Sequence, residues 1–339
     1  MINRIIAVIS ICCLMSACGP SRHDIEYQKL ETFLAANPVS EPVTPVNIAS
    51  QYSKLDKLYF AVLAYQQDRY ADAKILLAPY VEQNDADALF WHAKIIYASS
   101  IKNTPIAARM LLESIKQGNP YAMMAFSPEE AMCQRYFSSY CDEKYITMAQ
   151  QIFAEQAQTT GDVRAVYYSK MLPVDYSVRV DAIIEAANNH YYYPLFDYAK
   201  LLFYDANQYE LELRIKLLTY LAHHNFIPAI DSLKGHYSKQ ARVLKTKKNN
   251  EYYKLVEQGM RLGSRKAWAS HYFNEEDNNV SNFDLYVIAQ TIYLLSKSDR
   301  YLKFTLSLHG EEKIRAEILA QQNIDNMNMV LYTDAAHAR

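Results

Sequence analysis

Five cysteines, at positions 12, 13, 18, 133 and 141, are the side chains of this chain best suited to covalent chemistry. Acid–base and nucleophilic constellations are missing: there is no His-Glu-x-x-His, no Gly-x-Ser-x-Gly and no phosphate-binding glycine run. Glu113-Ser114 stands alone inside a helical stretch and reads as a surface pair. His223 and His224 are adjacent, so on a helix their rings diverge and cannot share one metal; they read as a solvated pair beside a turn. His92 reads as a core or groove histidine, and the basic run Lys245, Lys247 and Lys248 as a solvated loop. Tyr191-Tyr192-Tyr193 is the one aromatic run that suggests recognition. Three consecutive phenols on a turn cannot all face one core, so at least one is expected to be exposed, fit to touch a protein partner or stack on a sugar ring. Trp91 joins them as a candidate contact residue. The expectation is a binding protein, not an enzyme, with no metal and no cofactor.

The N-terminal cysteines belong to an address. Arg4 precedes an apolar run from Ile5 to Met15, and the small residues Ser16 and Ala17 follow it. That is the build of a secretory signal, and the run is about half of the ~20 residues that cross a bilayer as a helix. Leu14-Met15-Ser16-Ala17-Cys18 resembles the lipobox of bacterial lipoproteins, with Met15 where that family prefers Leu. The resemblance implies removal of residues 1–17 and lipidation of Cys18. Gly19 after the cysteine implies sorting to the outer membrane, with the protein on its periplasmic face. A plain cleavable signal is the alternative.

In such an oxidising compartment Cys133 and Cys141 form an even pair, and a disulfide is the default reading. Eight residues on a straight helix span about 12 Å, beyond the ~7 Å Cα limit for a bridge. A bond therefore requires the chain to turn, and Ser138-Ser139 can supply the turn. Two sulfurs without a nearby histidine make an incomplete zinc site.

Composition sets the frame that must position these groups. Net charge is −2 and half the residues are hydrophobic, which describes a folded chain without the one-signed field that nucleic acid attracts. Only seven glycines serve 339 residues, and hairpins and phosphate loops lean on glycine. An all-α protein follows. Residues 18–50 read as a lipidated segment with one short amphipathic stretch (Ile25, Leu30, Phe33, Leu34) and a tether punctuated by Pro38, Pro42 and Pro45.

From residue 51 the chain repeats. Leu89, Phe90, Ala93 and Lys94 recur 106 residues later as Leu195, Phe196, Ala199 and Lys200. A polar or glycine turn precedes a small residue four positions on at Asn84/Ala88, Gly118/Ala122, Gly161/Ala165, His190/Pro194, Asn225/Ala229 and Gly263/Ala267. These anchors are 34, 43, 29, 35 and 38 residues apart, the length of two helices and two turns. Ala93, Tyr97, Ala108, Gly118 and Ala122 match typical positions of the SEL-like repeat, and the pattern resembles that relative of the tetratricopeptide repeat. The first unit, with Ala64, Tyr65, Tyr70, Ala73 and Leu77, looks closer to a tetratricopeptide repeat. The resemblance implies a right-handed α-solenoid of helix-turn-helix units over residues 51–277. Cysteine-rich members of the family staple a hairpin at a spacing like that of Cys133 and Cys141.

After residue 277 the pattern stops. An apolar helix over 282–296 and two more over 301–308 and 311–322 are expected to form a C-terminal helical cap (278–322), because a solenoid must cover its last apolar face. Residues 323–339 read as a frayed polar tail. The function expected is a scaffold that holds envelope proteins on the solenoid surface, in an assembly such as exopolysaccharide export. A glycan- or peptidoglycan-binding lipoprotein using exposed tyrosines is the alternative. The membrane is met through the N-terminal lipid.

Overall fold

Helix-breaking turns recur at the positions that the sequence periodicity marks, and the chain folds back at each. The computed structural model describes residues 22–39, 51–172, 178–202, 207–278, 280–305 and 307–337. The signal, Cys18 and the prolines at 42 and 45 lie outside the described residues. The helices in chain order are α1 (Arg22–Ala36), α2 (Tyr59–Gln66), α3 (Tyr70–Glu82), α4 (Ala86–Ser99), α5 (Thr104–Lys116), α6 (Pro120–Met124), α7 (Ala131–Tyr136) and α8 (Lys144–Thr160). They continue as α9 (Val163–Met171), α10 (Arg179–Asn188), α11 (Tyr193–Leu201), α12 (Gln208–His223), α13 (Ile227–Leu244), α14 (Asn250–Arg261), α15 (Arg265–Asp277), α16 (Asn282–Ser296) and α17 (Gly310–Asp325). There is no strand among the described residues.

Apart from α1, each helix packs mainly on helices adjacent or next to adjacent in the chain, which makes the body an α-solenoid of helical pairs; its units one to seven open with α2, α4, α6, α9, α11, α13 and α15. All six marked turn residues are left-handed: Asn84 (φ 58°), Gly118 (82°), Gly161 (66°), His190 (63°), Asn225 (61°) and Gly263 (82°). The next residue caps the following helix at four of them. Asp85, Asn119, Asp162 and Ser264 accept the backbone N–H of Ala88, Ala122, Ala165 and Ala267. The other two helices, α11 and α13, have no side-chain cap and carry Pro194 and Pro228 in the first turn instead. The five anchor alanines are almost wholly buried, which lets neighbouring helices approach closely.

The pairing continues beyond residue 277, since α15 packs on α16 and α16 on α17. The expected helix over 301–308 is absent: residues 300–304 form turns, with the Tyr301 ring 5.1 Å from that of Tyr272. Cys133 and Cys141 are joined, with Cα atoms 5.9 Å apart. Helix α7 ends at Tyr136 and a 3-10 turn, Ser138–Tyr140, brings the chain back as the spacing argument required.

The two ends of the chain behave differently from expectation. Helix α1 is docked on units four and five, not suspended from them. Leu30 is fully buried, Phe33 meets the edge of Tyr220 at 5.0 Å, and the Tyr27 hydroxyl donates to Glu210 (2.8 Å). Lys29 bonds Asp181 (2.7 Å) across the same seam. The tail is not frayed either. Helix α17 runs to Asp325, and residues 327–334 then run without helix or turn against the body before the chain bends at 335–337, with Val330, Leu331, Thr333, Asp334 and Ala335 buried. The sequence looked polar there because its few apolar residues are separated by groups that bond to the groove wall.

Candidate functional site

An aromatic ladder runs through the first helices of successive units. Tyr65 meets Trp91 at 5.1 Å, Phe90 meets Tyr121 at 6.5 Å, and Tyr121 meets Tyr168 at 6.3 Å. Tyr168 continues to Tyr191 at 6.5 Å, and Tyr193 to Phe226 at 5.1 Å. Many of the 29 tyrosines are thus structural, each filling the step between two units. Burial pushes the phenol pKa values of Tyr168 and Tyr191 well above the ordinary value, so these hydroxyls stay protonated; they bond each other at 3.1 Å.

This corrects the expectation for the tyrosine run. Tyr191, Tyr192 and Tyr193 are all buried, with 2 %, 1 % and 8 % of their surface accessible. They do point in different directions, as three consecutive residues must, but every direction is filled. Tyr191 faces Tyr168 of the preceding unit, while Tyr192 packs on Tyr220, His224 and Phe226 and its hydroxyl bonds His190 (2.7 Å). Tyr193 faces the inside of the superhelix, where the tail covers it. Trp91 is also closed to partners, at 1 % exposure, with its indole N–H donating to the Tyr52 hydroxyl (2.7 Å). His223 is buried and not solvated, and the neighbouring His224 ring packs 4.4 Å from Tyr220. Ser114, read as part of a surface pair, is buried and donates to the Ala86 carbonyl (2.7 Å), whereas Glu113 does pair with Lys116 at the surface.

The tail crosses the inside of the superhelix from the last units to the first. Asn328 and Val330 donate their N–H groups to the carbonyls of Arg261 and Leu262 (2.8 and 3.3 Å). Gln66, at the end of α2, then grips the tail from the other side. Its amide nitrogen donates to the Val330 carbonyl (2.8 Å), and its oxygen accepts the N–H groups of Tyr332 and Thr333 (2.8 and 3.0 Å). Gln51 accepts the N–H of Ala335 (3.1 Å). These bonds read backbone, so they hold an extended peptide with little regard to its side chains. His337 anchors the end, bonding Asp334 (2.8 Å) through Nδ1 and Asp197 (3.0 Å) through Nε2. Burial would lower its pKa, but the two carboxylates outweigh that and push it up to about 9. Asp197, raised by burial, is held below the usual carboxylate range by His337 and Lys200.

Beside the tail lies a cavity of 520 Å³, walled by residues of α2, α11, α13 and α15 and by the tail itself. The first helices of units one, five, six and seven thus face one space. An ion pair between Arg265 of α15 and Asp68 of the first unit closes it. Tyr65, Tyr70 and Phe196 give the walls their apolar part, and Lys200, Asp231 and Lys266 the charged part. Asp231 is already engaged, accepting from Ser264 (3.0 Å) and pairing with the buried Lys234 (3.2 Å). Burial lowers the Lys234 pKa, only partly offset by Asp231. Among the described residues no group of three or more His, Cys, Asp or Glu side chains is placed to hold a metal ion. No described helix is long and apolar enough to cross a membrane.

The sequence signal for the tail was there in part. A clamp on distant backbone cannot be foreseen from one glutamine, but the apolar pair Val330-Leu331 breaks an otherwise polar end and marks a segment with something to bury.

No family model matches the chain, and neither does any curated protein. Among solved structures it is similar to c5321, a protective antigen present in uropathogenic Escherichia coli strains that displays an SLR fold. The two share 13 % identity with a TM-score of 0.39, over 79 % of this chain and 61 % of that one.

Proposed function

We propose that the protein is a lipid-anchored adaptor of the bacterial envelope, whose axial groove binds an extended segment of a partner protein. The observation that carries this reading is the grip of Gln66 on residues 330–333, because it is a backbone clamp already engaged with peptide. The cavity beside it is large enough for several further side chains, and its mixed walls suit a polypeptide that carries both aromatic and charged groups. The absence of an acid–base constellation in the sequence supports binding over catalysis. The lipobox-like Leu14–Cys18 supports the anchor, and Gly19 the outer membrane. An envelope assembly such as exopolysaccharide export is the setting this architecture suits by analogy.

Photocrosslinkers placed at Lys200 and Lys266 in the cavity, and at Lys116 on the outer surface, test the reading in intact cells. Cavity positions should capture a discrete envelope protein that Lys116 does not. A chain that captures none from the cavity, and instead retains muropeptides or polysaccharide in a titration, would replace the adaptor with the glycan reading. That second reading no longer rests on the tyrosine run; Tyr65 and Tyr70 beside Asp68 are the cavity residues that favour it.

A further inference from the structure

The docked position of α1 constrains how the body sits on its membrane, and this inference rests on the reading of Cys18 as the lipidated residue. Only Gly19, Pro20 and Ser21 separate Cys18 from Arg22, the first residue of α1. Four residue steps span at most about 15 Å even when fully extended. The proline-punctuated stretch comes after α1, between a helix packed on the body and Gln51, which is itself bonded to the tail. It closes a loop and cannot set the distance to the bilayer. In place of the proline-punctuated tether read in residues 18–50, the lipid is then joined by a short link to a docked strut.

The start of α1 lies at one edge of the solenoid, where α10 begins, α11 ends and α12 begins. Ile25 shares a surface hollow with Val180 and Asp181, and the Tyr198 hydroxyl donates to Glu26 (3.5 Å). Tyr27 packs 5.7 Å from Tyr209. Around this point four large apolar or amphipathic side chains are exposed: Ile25 (44 %), Val178 (38 %), Leu201 (54 %) and Tyr209 (43 %). Arg22, Lys29 and Arg179 stand among them, balanced by Asp24, Glu26 and Asp181. An edge of this kind, apolar with an aromatic residue and no net field, matches the headgroup layer of a bilayer.

We propose that this edge is the membrane-facing surface of the protein, with Ile25, Val178, Leu201 and Tyr209 seated in the headgroup layer of the bilayer that holds Cys18. A protein partner at the same place would have to be wedged within the ~15 Å that the linker can reach. The turns at His190 and Asn225, at the opposite ends of the same helices, then face away from the membrane. The edge orients the body and the lipid holds it.

The test uses the processed, lipidated full chain in vesicles of phosphatidylethanolamine and phosphatidylglycerol. Single thiols are introduced at Val178→Cys, Leu201→Cys and, about 16 Å away at the far end of α10, Asn189→Cys. Cys133 and Cys141 are bonded and take no label. With an environment-sensitive fluorophore on each thiol, lipid-borne quenchers should quench the labels at 178 and 201 at least about twofold more than the label at 189. Equal quenching at all three positions on protein that floats with the vesicles would overturn the orientation and leave the anchor standing. If the protein does not float, or if Cys18→Ser protein floats equally well, the anchor is wrong and the proposed edge falls with it.

Discussion

The imidazole of His337 lies flat on the phenol ring of Tyr193, with ring centroids 3.7 Å apart and planes inclined by 4°. One residue comes from the opening of a repeat helix and the other from the end of the chain, so the contact joins the two across the inside of the superhelix. It also explains why a tyrosine at the start of that helix is buried. The carboxylates of Asp197 and Asp334 keep the imidazole protonated, and a cation on an aromatic face gains a further attraction.

The first expectation is a loss of stability at alkaline pH. His337 binds its proton more tightly in the folded chain than in the unfolded one, where its pKa is about 6.5. The resulting stabilisation is therefore complete below pH 6.5 and is lost as pH rises through about 9. A rise from 6.5 to about 9 corresponds to at most about 3.4 kcal/mol. Solvent around the half-exposed Asp197 reduces this to roughly 2 kcal/mol. Thermal unfolding between pH 6 and 9 should show the midpoint falling, and His337→Gln should flatten the curve. Equal slopes for the two proteins would show that His337 does not latch the tail. The window stops short of pH 10, where the buried tyrosines begin to contribute a loss of their own.

Gln66 carries three of the tail's backbone bonds, so Gln66→Ala should free residues 330–333 without touching the tail's own sequence. Leaving buried backbone groups unpaired costs about 1–3 kcal/mol. Amide exchange at Tyr332 and Thr333 should accelerate by at least about tenfold, equivalent to about 1.4 kcal/mol, while exchange in α9 and α12 stays unchanged. Uniform acceleration throughout the chain would mean the clamp is part of the global fold and not a separable latch.

The sequence revealed the repeat because that signal is local. A left-handed turn residue, a capping side chain and a buried alanine lie within five positions, and each has its own physical reason. The disulfide was legible for the same reason, with Ser138–Tyr140 making the required turn. The site was not, because it joins residues far apart in the chain: Gln66 with Val330, Asp68 with Arg265, Asp197 with His337. A periodic pattern specifies how each unit packs on the next. It does not say that seven units bend far enough for the first and last to meet. Once they meet, positions that a straight array would expose become interior, which is the fate of Tyr193.

Two glycines in helices give opposite predictions. In general Gly→Ala within a helix stabilises by about 1 kcal/mol. Around Gly235 in α13 the space that an alanine methyl would take has no neighbouring atom within 4 Å, so Gly235→Ala should raise the melting temperature. At Gly259 in α14 the same methyl would come 2.6 Å from the Cβ of Ala267, the anchor of the next unit. Gly259→Ala should therefore destabilise by about 1–3 kcal/mol despite its better helix propensity. Thermal melts of the two variants decide it, and a stabilised Gly259→Ala protein would contradict the close approach of α14 and α15.

Unit three owes its length to the loop that Cys133 and Cys141 close, and the bond is expected to contribute locally. Helices α6 and α7 are only five and six residues long, too short to persist without tertiary support. The support is aromatic: Phe137, between the two cysteines, meets Phe126 at 5.5 Å and Tyr97 at 5.5 Å. Closing so short a loop restricts the unfolded chain by roughly 2–3 kcal/mol. Replacing both cysteines with serine should cost about that much, and a buried hydroxyl at the fully enclosed Cys133 adds to it. Cys133→Ala with Cys141→Ser separates the two effects, since it breaks the bond without burying a hydroxyl at 133. Thiol titration of denatured, unreduced protein should find neither sulfur free. Exchange measurements on the double variant should show loosening over residues 120–145, with the Gln66 clamp intact.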